Sequence, residues 1–274
     1  MYDPLLIALA VLASTARVLA LIGASIVTGW FLGYLAVKSR AFENIYTSLI
    51  GVLESVPVFS FFPVVLAFLV SGIGGYLGVE LAADFLVFTA VVWNIWIGIY
   101  QAFKTVPQEM VEVAENIKLG FWGKMRQLYI PFSIPRIAAN ILPSFANGFF
   151  YIIVSEVFSV GSSQYHVFGI GSVMAELAAE GATAYMAFAL GVLGAVVAAV
   201  IYGFREFADY AAAKYAVDSA LPVRRMRVPP PWLGKAVRGP LARLARYTAK
   251  LQRRRPTPTP PMSYGREYDK ILRP

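Results

Sequence analysis

Apolar residues gather along this chain into stretches about as long as a bilayer is thick, and polar residues collect between them. Crossing roughly 30 Å of hydrocarbon takes about 20 helical residues. Five stretches fit that requirement: Val18 to Val37, Ile45 to Val70, Phe85 to Phe103, Ile137 to Val160 and Tyr185 to Phe204. The second is too long for one straight helix and carries Pro57 and Pro63, so a kinked or broken helix is expected there. Leu5 to Leu12 is apolar but short, and Ser14, Thr15 and Arg17 follow it. It reads as a separate interfacial helix in preference to an extension of the first span. The pattern therefore divides the chain into an N-terminal segment 1–17, a transmembrane domain 18–216 and a tail 217–274.

Composition agrees with a membrane setting. Of 274 residues, 58% are hydrophobic and 15% charged, with a mean hydropathy of +0.62, too little polarity for the exterior of a soluble domain. The net charge of +8 would suit nucleic acid, yet only eight of the 24 lysines and arginines precede Arg205, so no nucleic-acid partner is expected. The rest crowd a Pro- and Arg-rich tail whose PTPTPP and PPP runs cannot pack a core. That tail is expected to be largely disordered. Its PLARLARYTAKLQRRR segment has the pattern of a short basic amphipathic helix, with adhesion to anionic lipid as a second reading. Cysteine is absent, which removes disulfides, a thiol nucleophile and zinc-finger spacing, and no metal site is expected. Asp3 and the lack of a basic n-region argue against a cleavable signal peptide.

Charge also orients the spans. With five crossings, one side collects Lys38, Arg40, Lys104, Lys118, Lys124, Arg126 and the basic tail, while the other holds Arg17 with Glu80, Asp84, Glu176 and Glu180. The positive-inside rule makes the basic side cytoplasmic and puts the N-terminus outside.

The longest cytoplasmic loop, 104–136, reads KTVPQEMVEVAENIKLGFWGKMRQLYIPFSIPR. Thr105 with Gln108 three residues on, and Pro107 in the first turn, has the look of a capping box. Val106, Met110, Val113 or Ala114, Ile117 and Phe121 recur at helical spacing opposite Glu109, Glu112, Glu115 and Asn116. A break at Gly120 to Gly123 then precedes a second short helix that is expected to stop before Pro131. An ordinary interfacial helix would share these features. The order of residues is more specific. Glu112, Val113 and Ala114, then Leu128, Ile130 and Pro131, resemble the Glu-Ala-Ala loop of the inner-membrane permeases of binding-protein-dependent ABC importers, with the Glu112 to Pro131 spacing kept. Val113 replaces an alanine, and Lys118 stands where that family has a glycine, with Gly120 two residues later, so the sharp turn is expected to have shifted.

WNIWIGIYQAFKTVPQEM, SVPVFSFFP and NGFFYIIVSEVFSVG followed by GIGS are similar to the nitrate, sulfonate and taurine importer group, some of whose members fuse two such repeats. The resemblance covers roughly 15–216. It implies an all-α, type I ABC importer permease-like bundle of about five transmembrane helices with a cytoplasmic coupling helix. It further implies partnership with ABC ATPase subunits, a second identical or different permease subunit and an external solute-binding protein, in the cell (plasma or inner) membrane. The implied cargo is a small anion or organic solute. ATP would be bound by the partner, since no Gly-rich phosphate loop ending in Lys-Ser or Lys-Thr occurs here and no cofactor is expected.

The coupling residues implied are Met110, Glu112, Val113, Ala114, Ile117, Lys118, Gly120, Phe121 and Pro131. Met110, Val113, Ile117 and Phe121 would form the protruding face, Ala114 would allow close approach, and Glu112 would meet a basic residue on the ATPase. Polar residues within spans, Glu54 at the proline break, Glu156 in the outer half of the fourth span and Asn140 near its cytoplasmic start, are candidates for the solute pathway or for structural bracing. The glycines at 169–171 and the helical VMAELAAEG read either as a turn or, by resemblance, as a partly inserted outer helix. A secondary transporter or channel is the alternative function, though it predicts an inverted repeat or paired intramembrane acids that are not visible. A membrane enzyme is a poor fit, for one histidine, His166, and scattered glutamates make no catalytic cluster.

Overall fold

The computed structural model describes residues 3–160 and 163–215, and the tail, including its expected amphipathic helix, lies outside them. The described chain is almost wholly helical: α1 Pro4–Lys38, α2 Arg40–Ser55, α3 Val58–Ile73, α4 Gly75–Lys104, α5 Gln108–Asn116, α6 Phe121–Lys124, a π-helical turn Met125–Tyr129, α7 Ile130–Ser155, α8 Ile170–Ala179 and α9 Thr183–Tyr215. A two-stranded antiparallel hairpin, β1 Val157–Val160 and β2 Ser163–His166, pairs Val157 with His166.

Among the described residues four helices are long and apolar enough to cross a membrane: Pro4–Lys38, Gly75–Lys104, Phe121–Ser155 and Thr183–Tyr215. The remaining expected span is broken, as its prolines predict. Pro57 fixes φ at −58° and lacks an N–H, so α2 ends at Ser55, Val56 is extended, and α3 restarts at Val58. Each half has 16 residues, and Pro63 is accommodated inside α3.

Three sequence expectations change. Residues 5–12 are the opening turns of one continuous α1, not a separate helix. Asp3 starts it by accepting a 2.9 Å hydrogen bond from Leu5 N–H, and Pro4 occupies the first turn, where its missing donor costs nothing. Thr15 does not interrupt, because its hydroxyl donates to the Val11 carbonyl at 2.7 Å. The fourth span starts earlier and ends sooner than 137–160, since Val157–Val160 leaves the helix to pair in the hairpin. The second helix of the loop does not stop before Pro131 but runs through the π turn into α7. There Ile130 N–H donates to the Met125 carbonyl, the wider ring of a π turn, and the tolerated first-turn position of α7 falls on Pro131.

α4 is the central helix, with α1 and α7 against it: 15 of its 30 residues are buried, against two of 33 in α9. Val18 and Ile22 of α1, Val91, Ile95 and Ile99 of α4, and Ile137, Ile141 and Phe145 of α7 share one core. Close approach of α1 to α4 is made by Gly29 and Gly33, since a Cβ on either would meet Ile99. This is the small-residue packing on which membrane helices rely.

Candidate functional site: the loop at one end of the bundle

α5 begins at Gln108, not at Thr105. The Thr105 hydroxyl donates to the Ala102 carbonyl at 2.7 Å and so finishes α4, while Pro107 precedes α5 with no side-chain cap. The helix is held on one face only. Ala114 is buried against the bundle core that contains Met125 and Leu128, and beside it Glu115 accepts hydrogen bonds from Lys124 at 2.9 Å and Lys38 at 3.1 Å. Those two ammonium groups, Lys124 first, hold the Glu115 carboxyl below the usual carboxylate range. Ala114 therefore provides close approach to the bundle itself, not an outward contact.

The surface flanking Ala114 is bare. Met110, Val113 and Ile117 are 46%, 58% and 62% exposed, and they border an open groove of about 430 Å³ that Gln127 and Leu128 help to line. Glu112 is exposed, with the Gln108 amide 3.4 Å away. Phe121 does not join this face: it stacks on Phe31 at 5.9 Å and meets Tyr34 edge-on at 5.0 Å, both on α1. The protruding aromatic is its neighbour Trp122, 69% exposed.

The turn after α5 has stayed at Lys118. Lys118 N–H donates to the Glu115 carbonyl and Leu119 N–H to the Ala114 carbonyl, the paired bonds of a Schellman cap, and Lys118 takes φ +53° at the position glycine usually fills. Gly120, at φ −67°, has ordinary backbone geometry and no part in the reversal.

The polar candidates in the spans separate. Glu54 is exposed at the α2–α3 break and lines a cavity of about 380 Å³ with Trp93, Asn94, Asn147 and Tyr151. Asn140 instead ties α7 internally, donating to the Arg136 carbonyl at 2.9 Å and packing against Gly98 of α4. Glu156 is fully buried at the other end of the bundle. Its carboxylate accepts from Ser14 Oγ, from Arg17 Nη1 at 3.1 Å and from Gly171 N–H at 2.6 Å, while Ser14 Oγ also accepts from Ile170 N–H at 2.9 Å. This binds α7 and α1 to the start of α8. The glycines at 169–171 are thus a helix N-terminus, and a Cβ on Gly169 or Gly171 would strike the Glu156 carboxylate.

Arg17, for which the sequence suggests only a place on the outer side, is the hub of this knot. It pairs with Glu80 and Glu156, and its Nε lies 3.2 Å from Asp84 Oδ1 in an ion pair without hydrogen-bond geometry. The signal available in the sequence is a lone basic residue on an otherwise acidic side.

Membrane-length helices around a central one, a broken helix beside a mid-bundle cavity, and a short amphipathic helix hung at one end define a polytopic membrane permease. The chain belongs to the family described as binding-protein-dependent transport system inner membrane component, whose family model matches residues 25–210. That match runs from within α1 to near the end of α9. A comparison with curated proteins gives no match. Membership makes the chain a multi-pass permease component of a transporter, in a class that works with a binding protein and an ATPase.

Proposed function

We propose that the chain is the membrane subunit of an ATP-driven importer, coupled through α5 to a separate ATPase subunit. The observation that carries this reading is that α5 is anchored to the bundle and still leaves an apolar row open. Ala114 and Glu115 tie the helix to the bundle, while Met110, Val113 and Ile117, on the turns beside Ala114, stand free around the groove. An apolar row at i, i+3 and i+7 on a short anchored helix is what a helix-in-groove contact uses. Glu112, on the exposed side, suits a basic residue at the groove rim. The basic side of the chain, α5 included, is then cytoplasmic and the N-terminus outside. A second permease subunit, identical or different, covers part of the exposed flank and closes the solute pathway. An external binding protein delivers the solute at the Arg17 end. Alternation between inward- and outward-open states follows from ATP binding in the partner.

The test is co-purification from native membranes. An ATPase subunit should travel with the wild-type chain, and Met110→Ser with Glu112→Lys should release it while the helices stay folded. Undiminished association of the double variant would refute the docking role.

A further inference from the structure

The cavity at the helix break has a chemistry of its own. Thr89, Trp93 and Asn94 reach it from the middle of α4, Asn147 and Tyr151 from α7, and Glu54 with the chain ends at Pro57 from the break. Thr89 and Trp93, and likewise Asn147 and Tyr151, are four residues apart, so each pair lies on one helix face. At about 380 Å³ the space is in the range of small-molecule sites, and residues 89–94 place it near the midpoint of a 30-residue helix.

Its electrostatics are one-signed. Among the described lining residues Glu54 is the only carboxylate, and there is no lysine, arginine or histidine. The C-terminus of α2 and the N-terminus of α3 meet at the break, so their opposed partial charges largely offset and the carboxylate dominates. Glu54, Asn94 and Asn147 form no hydrogen bond or ion pair with the described residues, so their polar atoms are available to a guest. Trp93 supplies an aromatic wall, on which a cation is attracted and an anion is not.

We infer that this cavity is a solute subsite for a small organic cation with hydrogen-bonding groups, held by Glu54 against Trp93 and Asn147. The inference rests on the reading of the chain as a solute pathway, and it departs from the small-anion cargo that the nitrate, sulfonate and taurine resemblance implies. A carboxylate facing a sulfonate or nitrate would repel it, and the described lining residues offer no cation to compensate.

The test uses the full chain in lipid nanodiscs and equilibrium dialysis at neutral pH, corrected for empty nanodiscs. Radiolabelled phenethylammonium is compared with 3-phenylpropanoate, which shares its ring and linker but carries the opposite charge. Saturable binding of the ammonium compound is expected, at least tenfold tighter than the carboxylate. Glu54→Gln should weaken it at least tenfold and Asn147→Ala about threefold, whereas Glu54→Asp, which keeps the charge, should stay within threefold of wild type. The absence of saturable ammonium binding, equal or tighter binding of phenylpropanoate, or an unchanged affinity in Glu54→Gln would each overturn the inference. Retention of an ATPase subunit is scored in the same preparations. Its loss with ammonium binding intact counts against the importer reading alone, and its presence without ammonium binding counts against the cation subsite alone.

Discussion

Replacing Lys118 by glycine should tighten the loop, although it deletes a charged side chain and adds a flexible residue. Lys118 is the only described non-glycine residue with positive φ, at +53°. A left-handed L-residue carries a penalty of about 1–2 kcal/mol from the crowding of its Cβ. Glycine removes that penalty but loses about 0.5–1 kcal/mol more backbone freedom on ordering. The difference leaves a gain of about 0.5–1 kcal/mol, or roughly two- to fivefold in a local opening equilibrium at 1.4 kcal/mol per tenfold. Alanine keeps the Cβ and should gain nothing, so the pair Lys118→Gly and Lys118→Ala isolates the backbone effect. Native-state hydrogen exchange at Lys118 and Leu119, whose amides close the cap, reads it directly. Equal or lower protection in the glycine variant than in the alanine variant would refute a strained left-handed turn at 118.

Four further outcomes follow from the geometry. Arg17→Met should destabilise the chain by about 3–5 kcal/mol, read as a lower melting temperature in detergent, because it strands the buried Glu156 carboxylate and two neighbouring acids. Gly171→Ala should also lower the melting temperature, since its Cβ would press on the Ile153 carbonyl and Glu156, and Gly181→Ala, with open space around it but φ +67°, should act only through local strain. Ala114→Leu should lift α5 off the bundle at about 1–3 kcal/mol of overpacking, seen as faster exchange of the α5 amides. Glu115 is held below its ordinary pKa by Lys124 and Lys38, so its tether of α5 is present above the free carboxyl's pKa and is lost as pH falls through the depressed value. Exchange of the α5 amides, corrected for intrinsic rates, should therefore quicken only in the acidic range below about pH 4.5, and Glu115→Gln should remove that pH step.

Much of the helical plan could be read from apolar length alone, and the interruption at Pro57 from the proline itself. The ends of helices were harder, for reasons that are local. Thr105 can cap the start of one helix or finish another, and the competition is decided by its reach to the Ala102 carbonyl. Val157–Val160 is as apolar as the helix before it, so only its partner strand shows that it leaves the helix. In the loop, a 3.6-residue period marks positions on one face but not which of two apolar sides meets the bundle. Phe121 turned inward because α1 supplies Phe31 and Tyr34 as partners, contacts separated by about 90 residues of chain, and Ala114 because it joins the core of Met125 and Leu128. Arg17 was hidden for the same reason: its three carboxylates come from α4 and the end of α7.

That guanidinium has a mechanical side. Because one planar cation answers acids on two other helices, and Glu156 in turn grips the first amides of α8, these elements cannot slide past one another at that end without stranding charge. At the far end the chain offers a wider-gauge turn at Met125–Tyr129 and exposed salt-linked tethers, Glu115 to Lys38 and Lys124 and Glu43 to Lys104. A push delivered there is absorbed by swivelling near the loop or passed on as rotation of a rigid block, so the molecule is stiff at its crown and jointed at its foot.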